Sequence, residues 1–359
     1  MSVYLDYAAT TPLCERALEA MLRCIRDAGA NPSAAYTSAG AARRELRLAR
    51  AAVAGLLHSD AQEVVFTSGG TESNNWALSA CAGRHAVVSA IEHASVLEAA
   101  RRWAGEVTLV QPDESGVIRP EAVARAMRPD TALVSVQWAN NETGVLQPVE
   151  AIARVARDGR ALFHTDAVQA AGHVPVNARS CDLMSVSAHK LYGPRGAGAL
   201  YIRQGVNIAP LLAGGGQEAG MRAGTENVPA IAGFGAACEL AAAEMDARAR
   251  EEAALMEGFL RGLPHVRVLG GDTPRLPGVA ALCLPLPSES VIAALDLRGI
   301  EVSGGAACAA RSHEPSHVYR AMGLSEQAAA RVIRVSIGRG VTKQALARAA
   351  RALVEICSL

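Results

Sequence analysis

The sequence predicts an α/β protein: a large domain with a mainly parallel sheet flanked by helices, joined to a smaller α+β domain. Two observations carry this. Short β-rich apolar runs alternate with alanine- and arginine-rich helical stretches from about residue 15 to 245, the signature of strand–helix–strand units. Beyond a long helical region at 227–262 the texture changes to a few strands and a closing amphipathic helix. The expected division is 15–245 for the large domain, with 1–14 and 246–359 forming the small one.

Taken in order, the strand candidates are EVVFT (63–67), HAVVSAI (85–91), VTLVQ (107–111), TALVSVQW (131–138), ALFHTD (161–166), DLMSVSA (182–188) and GALYI (198–202). Helical patterns fall between them at 41–57, 72–82, 94–104, 119–128 and 148–158. In the small domain VRVLG, GVAALCLP and RVIRVSIG read as strands. Over 342–357, Leu346, Ala350, Leu353, Val354 and Cys357 share one helical face. In such a sheet the functional loops belong at the carboxyl ends of the strands.

Composition narrows the function. Of 359 residues, 50% are hydrophobic and 19% charged, so a sizeable core is expected. Formal net charge is zero and no dense basic run occurs, which argues against nucleic acid or an anionic membrane as partner. No signal-peptide pattern opens the chain, and no run of about 18 uninterrupted apolar residues occurs to span a membrane. Eight cysteines lie scattered without CxxC or metal-ligand spacing, so neither a disulfide framework nor a metal site is expected. A cytoplasmic setting with reduced thiols fits.

The most informative segment is SVSAHKLYG (185–193), where Lys190 ends an apolar strand. Only Lys190 and Lys343 are lysines, the other basic residues being arginine. A lysine amine withdrawn from water loses charge stabilisation and becomes a nucleophile able to form an imine, which arginine cannot do. A surface lysine is the plainer alternative. Upstream, EVVFTSGGTESNN (63–75) runs from a strand through a glycine pair into a helix, a geometry that cradles phosphate with free N–H groups and the Thr71 hydroxyl, or simply turns the chain.

ALFHTDAVQA (161–170) delivers Asp166 to the sheet edge, as a helix cap or as a carboxylate holding a ring nitrogen protonated. A phosphate loop, an aspartate and a buried lysine together point to pyridoxal 5'-phosphate. In VSVQWANNETG (134–144) Asn140 and Asn141 make a turn, or one asparagine donates to the cofactor's phenolic oxygen, as Gln169 also can. His93 is either a helix-cap histidine or a ring stacked on the cofactor. Cys308, in IEVSGGAACAARSHEP (300–315), sits in a small-residue segment where Arg311 and His313 favour thiolate. Arg334, within RVIRVSIGRG, either snorkels outward or pairs with a substrate carboxylate.

These motifs, in this order, resemble the cysteine desulfurases of the NifS/IscS type, within the class V aminotransferase-like, fold-type I pyridoxal-phosphate enzymes. The resemblance is carried by YLDYAATTP (4–12), NPS (31–33), TSGGTESNN, IEHASV, NNETG, HTDAVQA, SAHKLYGPRG, GGGQEAGMRAGTEN (214–227), SGGAAC and IRVSIGR, running from residue 4 to about 340.

It implies that Lys190 carries pyridoxal phosphate covalently, Asp166 pairs with its ring nitrogen, and His93 stacks on the ring. Asn141 and Gln169 would contact the phenolic oxygen, while Gly70, Thr71, Ser187 and His189 hold the phosphate. Thr225 would reach the phosphate of a neighbouring subunit, hence a homodimer. Arg334 and Asn31 would bind the carboxylate of L-cysteine, and Cys308 would accept its sulfur for transfer to an acceptor protein. Selenocysteine lyase, or another pyridoxal-phosphate lyase or aminotransferase, is the alternative. The chain departs from the family at AAYTSAG after NPS, at SGGAAC in place of SSGSAC, at Ala188 in place of glycine, and in a short C-terminal end. These departures leave the sulfur acceptor and its pathway open.

Overall fold

The structure is a computed structural model that describes residues 2–305 and 315–358. Cys308, Arg311 and His313 lie outside the described residues. The first half contains β1 (Val3–Tyr4), α1 (Glu15–Asp27), α2 (Ala39–Leu57), β2 (Val64–Thr67), α3 (Gly70–Ser79), β3 (His85–Ser89), α4 (Ala94–Trp103), β4 (Glu106–Val110), α5 (Pro120–Ala126), β5 (Thr131–Ser135) and α6 (Val149–Asp158). There follow β6 (Leu162–Asp166), β7 (Leu183–Ser187), β8 (Gly198–Ile202) and the long α7 (Val228–Arg261). The remainder is β9 (Arg267–Val268), β10 (Val279–Cys283), α8 (Ser288–Asp296), β11 (Ile300–Glu301), α9 (His317–Ala321), α10 (Glu326–Ala329), β12 (Val332–Ser336) and α11 (Lys343–Cys357).

Seven strands form the main sheet in the order β2-β8-β7-β6-β5-β3-β4. Neighbours from β7 through β4 pair parallel, while β8 runs antiparallel to both β7 and β2. GALYI is thus the one reversed strand, and β2 regains the sense of β7. Every residue of β3, β5, β7 and β8 is buried, because helices cover both faces, so these strands read as continuous apolar runs and not as alternating ones. The consequence for function is geometric: β2, β3, β5, β6 and β7 all end on one edge.

A second, antiparallel sheet, β12-β10-β9, packs with α8, α11 and the end of α7 around its own apolar cluster, which includes Leu255, Phe259, Leu282, Ile333 and Leu353. The face expected on α11 is the one that packs: Leu346, Ala350, Leu353 and Cys357 are buried and Val354 partly so. By length and composition α7 alone among the described helices is long and apolar enough to cross a membrane, and its first half is buried on α1 and α2. The two-residue strands β1 and β11, paired parallel, are too short to show any periodicity in sequence. Helix α1 goes unread for another reason: its large apolar residues Leu18, Leu22 and Ile25 face outward, and alanines fill its buried side.

The N-terminal segment binds the two sheets to each other. Leu5 donates to Glu301 and accepts from Ser336, whereas Thr11 donates to the His189 carbonyl and accepts from the Tyr192 N–H. Residues 5–11 therefore cross the carboxyl edge of the main sheet directly beneath Lys190.

Candidate active site

A single cavity of about 620 Å³ opens at that edge, and its lining includes Gly70, Thr71, His93, Asn141, Asp166, Gln169, Ser187, His189, Lys190 and Arg334. Ten of the residues singled out from sequence therefore meet in one place. Asn31 and Thr225 do not: both are exposed and neither lines the cavity. Asn31 instead accepts from the Ser33 N–H in a local turn.

Lys190 follows β7 in a single 3₁₀ turn, Ala188–Lys190. It is half-buried, not sealed from water as the apolar run before it suggests, because the strand ends three residues earlier. Its Nζ donates to the carbonyls of Ala8 (2.5 Å) and Ala9 (2.8 Å), so the YLDYAATTP motif acts as a backbone rest for this amine.

Asp166, 7% exposed, ends β6. Its Oδ1 accepts from the Val168 N–H at 2.9 Å and its Oδ2 from Asn74 Nδ2 at 2.7 Å. The turn-capping reading and the cavity-lining reading are both true of this residue. The same holds for His93, which caps α4 by accepting from the Ser95 N–H while lining the cavity. The two asparagines of NNETG divide the work. Asn140 Oδ1 accepts from the N–H groups of Glu142 and Thr143 and makes the turn, leaving Asn141 to the cavity. Gln169 spends one N–H on the Ala8 carbonyl.

The start of α3 is shaped by close approach. A Cβ on Gly70 would sit 2.8 Å from Val168 Cγ2, and one on Gly198 would sit 2.6 Å from Gly69 Cα. The glycines thus let the helix start press against Ser187 and β8. First-turn N–H groups of a helix lack intrahelical acceptors, so at Gly70 and Thr71 they can serve an anion. His189 beside them is held neutral: burial, then Lys190 and Arg195, push it down to about 4. Burial likewise lowers His93, with Lys190 and His317 adding to the effect and Asp166 opposing it.

Arg334 sits mid-strand in β12 yet is only 1% exposed. It does not snorkel outward. Its Nη2 donates to Asp6 Oδ1 at 2.5 Å and its Nη1 to the Asn141 carbonyl at 2.9 Å, while buried Nε has no partner.

Sequence reasoning missed Asp6, the Ala8 and Ala9 carbonyls, Asn74, Ser95 and His317. Asp6 and Asn74 lie in motifs already singled out, but nothing local distinguishes them from turn and helix residues. His317 lines the cavity and donates through Nε2 to the Glu92 carbonyl, and no sequence signal marked it.

Fold and site together define an α/β enzyme scaffold with a lysine-bearing cavity at the sheet edge, and the chain belongs to the class-V aminotransferase family, which matches residues 3–348. A relative from Cereibacter sphaeroides called cysteine desulfurase is 44% identical over 354 residues, covering 95% of this chain and 92% of the relative. Cysteine desulfurase IscS of Methanosarcina thermophila is 40% identical over 370 residues, covering 99% and 92%. Among solved structures, a NifS-like protein aligns over the whole of both chains with a TM-score of 0.92 and 34% identity. SspA in complex with cysteine aligns with a TM-score of 0.85 and 36% identity over 94% of this chain and 99% of its own.

Proposed function

We propose that this chain is a cysteine desulfurase that uses pyridoxal 5'-phosphate to take sulfur from L-cysteine, leaving L-alanine. The observation that carries the reading is the meeting of Lys190, Asp166 and Arg334 in one cavity, in a chain whose relatives bear that activity in their names.

The residues present fit the cofactor. The open helix start at Gly70 and Thr71, with Ser187 and neutral His189, suits a phosphate. Asp166 suits a ring nitrogen, Asn141 and Gln169 the phenolic oxygen, His93 the ring face, and Lys190 Nζ the aldehyde carbon. Bound there, pyridoxal phosphate supplies an electron sink for charge developing at the substrate Cα.

The protein's own part follows from its groups. Arg334, which lines the cavity and is fixed in direction by Asp6 and the Asn141 carbonyl, supplies the cation for the substrate carboxylate. Lys190 Nζ, resting on the Ala8 and Ala9 carbonyls, would be the base for the Cα proton. Cys308 attacks the substrate sulfur: the C–S bond breaks, an S–S bond forms on Cys308, and the carbon keeps the electron pair and a proton as alanine. A thiol reductant or an acceptor protein then removes the persulfide sulfur.

We also infer a homodimer: Thr225, which the resemblance assigns to the phosphate of a neighbouring subunit, is exposed and does not line its own cavity. We also propose a reducing, cytoplasmic setting, as the scattered cysteine spacing of the sequence suggests. The test is product analysis. Full-length protein supplied with pyridoxal phosphate and L-cysteine should release alanine and sulfide in equal amounts under a thiol reductant. Preference for selenocysteine, or amino-group transfer without alanine, would move the assignment to another enzyme of the same fold.

A further inference from the structure

Along the cavity wall a chain of side chains runs from Asp166 to His93 through two lining residues, Asn74 and Ser95, with no part in the scheme above. Asn74, on α3 and 1% exposed, donates through Nδ2 both to Asp166 Oδ2 at 2.7 Å and to Ser95 Oγ at 2.8 Å. Its Oδ1 has no partner. The amide orientation is dictated by Asp166: turned over, Asn74 would set a carbonyl oxygen against a carboxylate, which only accepts. With both N–H groups of Asn74 pointing outward, Ser95 Oγ is an acceptor, and its hydroxyl hydrogen is left for His93 Nδ1 at 2.7 Å. The Ser95 N–H points at the same nitrogen from 3.1 Å. Nδ1 thus faces two donors and must accept.

We propose that Asn74 and Ser95 are positioning residues that hold His93 as a neutral imidazole carrying its proton on Nε2, so that the ring presents an N–H donor to the cavity. The tautomer of a histidine is set by the bond its other nitrogen makes, and here that bond traces back to the Asp166 carboxylate. The groups facing His93 agree. Burial, Lys190 and His317 disfavour its charged form, and only Asp166 favours it, while buried Glu92 precedes it in the chain. The functional weight of the device rests on the cavity being the catalytic centre, but the tautomer itself does not.

The experiment is nitrogen NMR on full-length protein labelled with 15N-histidine, with His93 assigned from His93→Gln. The expected spectrum at neutral pH has a protonated Nε2 and an unprotonated Nδ1. In Asn74→Leu the Ser95 hydroxyl is free to turn and accept from a protonated Nδ1, so the His93 pKa should rise by about one unit, roughly a tenfold change in protonation. Ser95→Ala should shift it the same way, and Ser95→Thr should restore the wild-type titration. A proton on Nδ1 in the wild type overturns the proposal, as does an unchanged His93 titration in Asn74→Leu and Ser95→Ala. If Asn74→Leu fails to fold, the wild-type tautomer and Ser95→Ala still decide. No turnover is required, so failure here is distinct from failure of the desulfurase reading.

Discussion

Arg334 Nη2 lies 2.5 Å from the Asp6 carboxylate, joining residues 328 positions apart. The pair fixes a nearly inaccessible guanidinium at the cavity, with Nε the one nitrogen left without a partner. Arg334→Ala would leave Asp6 without its cation and the substrate carboxylate without its anchor. Truncating one member of a buried, hydrogen-bonded charge pair costs roughly 2–5 kcal/mol, so kcat/KM should fall roughly 30- to several-thousand-fold. Arg334→Lys should recover little, because a point charge cannot serve Asp6, the Asn141 carbonyl and a carboxylate together. Steady-state kinetics with L-cysteine check both.

Lys190→Arg separates chemistry from scaffolding. An arginine can still donate to the Ala8 and Ala9 carbonyls but cannot form an imine at neutral pH. The variant should fold with a Tm near that of the wild type, lose the visible absorbance of the bound cofactor, and turn over at least about 10²-fold more slowly. Retained absorbance would show that another amine holds the cofactor.

Gly198 lies on β8, far in sequence from the phosphate-binding start of α3, yet a Cβ there would reach 2.6 Å from Gly69 Cα. Backbone cannot swing aside, so Gly198→Ala should displace the helix start. Overpacking of this kind costs about 1–3 kcal/mol. Urea unfolding should register that loss, and pyridoxal phosphate should bind more weakly by titration.

Glu92 gives a pH prediction. Burial holds its carboxyl well above the usual range, with Asp166 adding to the effect. A raised folded-state pKa means that its contribution is complete below the unfolded value of about 4.3 and is lost as pH rises through the folded value. Glu92→Gln keeps an acceptor for the Gln137 N–H, which Glu92 Oε1 takes at 2.7 Å, and removes the titration. Wild type should therefore lose stability relative to Glu92→Gln as pH rises from about 5 to 8, by on the order of 1.4 kcal/mol per pH unit until Glu92 ionises. Denaturant midpoints across that range check it, and a constant difference would contradict it.

Much of the site was legible because strand ends announce themselves. Lys190, Asp166, His93 and Asn141 each follow a short apolar run, and a parallel sheet collects such ends on one edge. What stayed hidden depends on contacts between distant segments. Nothing near Asp6 mentions Arg334, and Asn74 looks like any helix residue until α3 is laid against β6. The reversed strand β8 was equally unreadable, since a strand covered on both faces has the same apolar pattern in either direction. Lys190 was misjudged on burial because an apolar strand says where the chain is covered, not how far that cover extends past its last residue.

The most direct measurement is mass spectrometry of full-length protein after exposure to L-cysteine without reductant. The account predicts the mass of one added sulfur on the peptide containing Cys308, formed together with alanine and absent from Lys190→Arg. Alanine accumulating while that peptide stays unmodified, or an added sulfur on another cysteine, would contradict it.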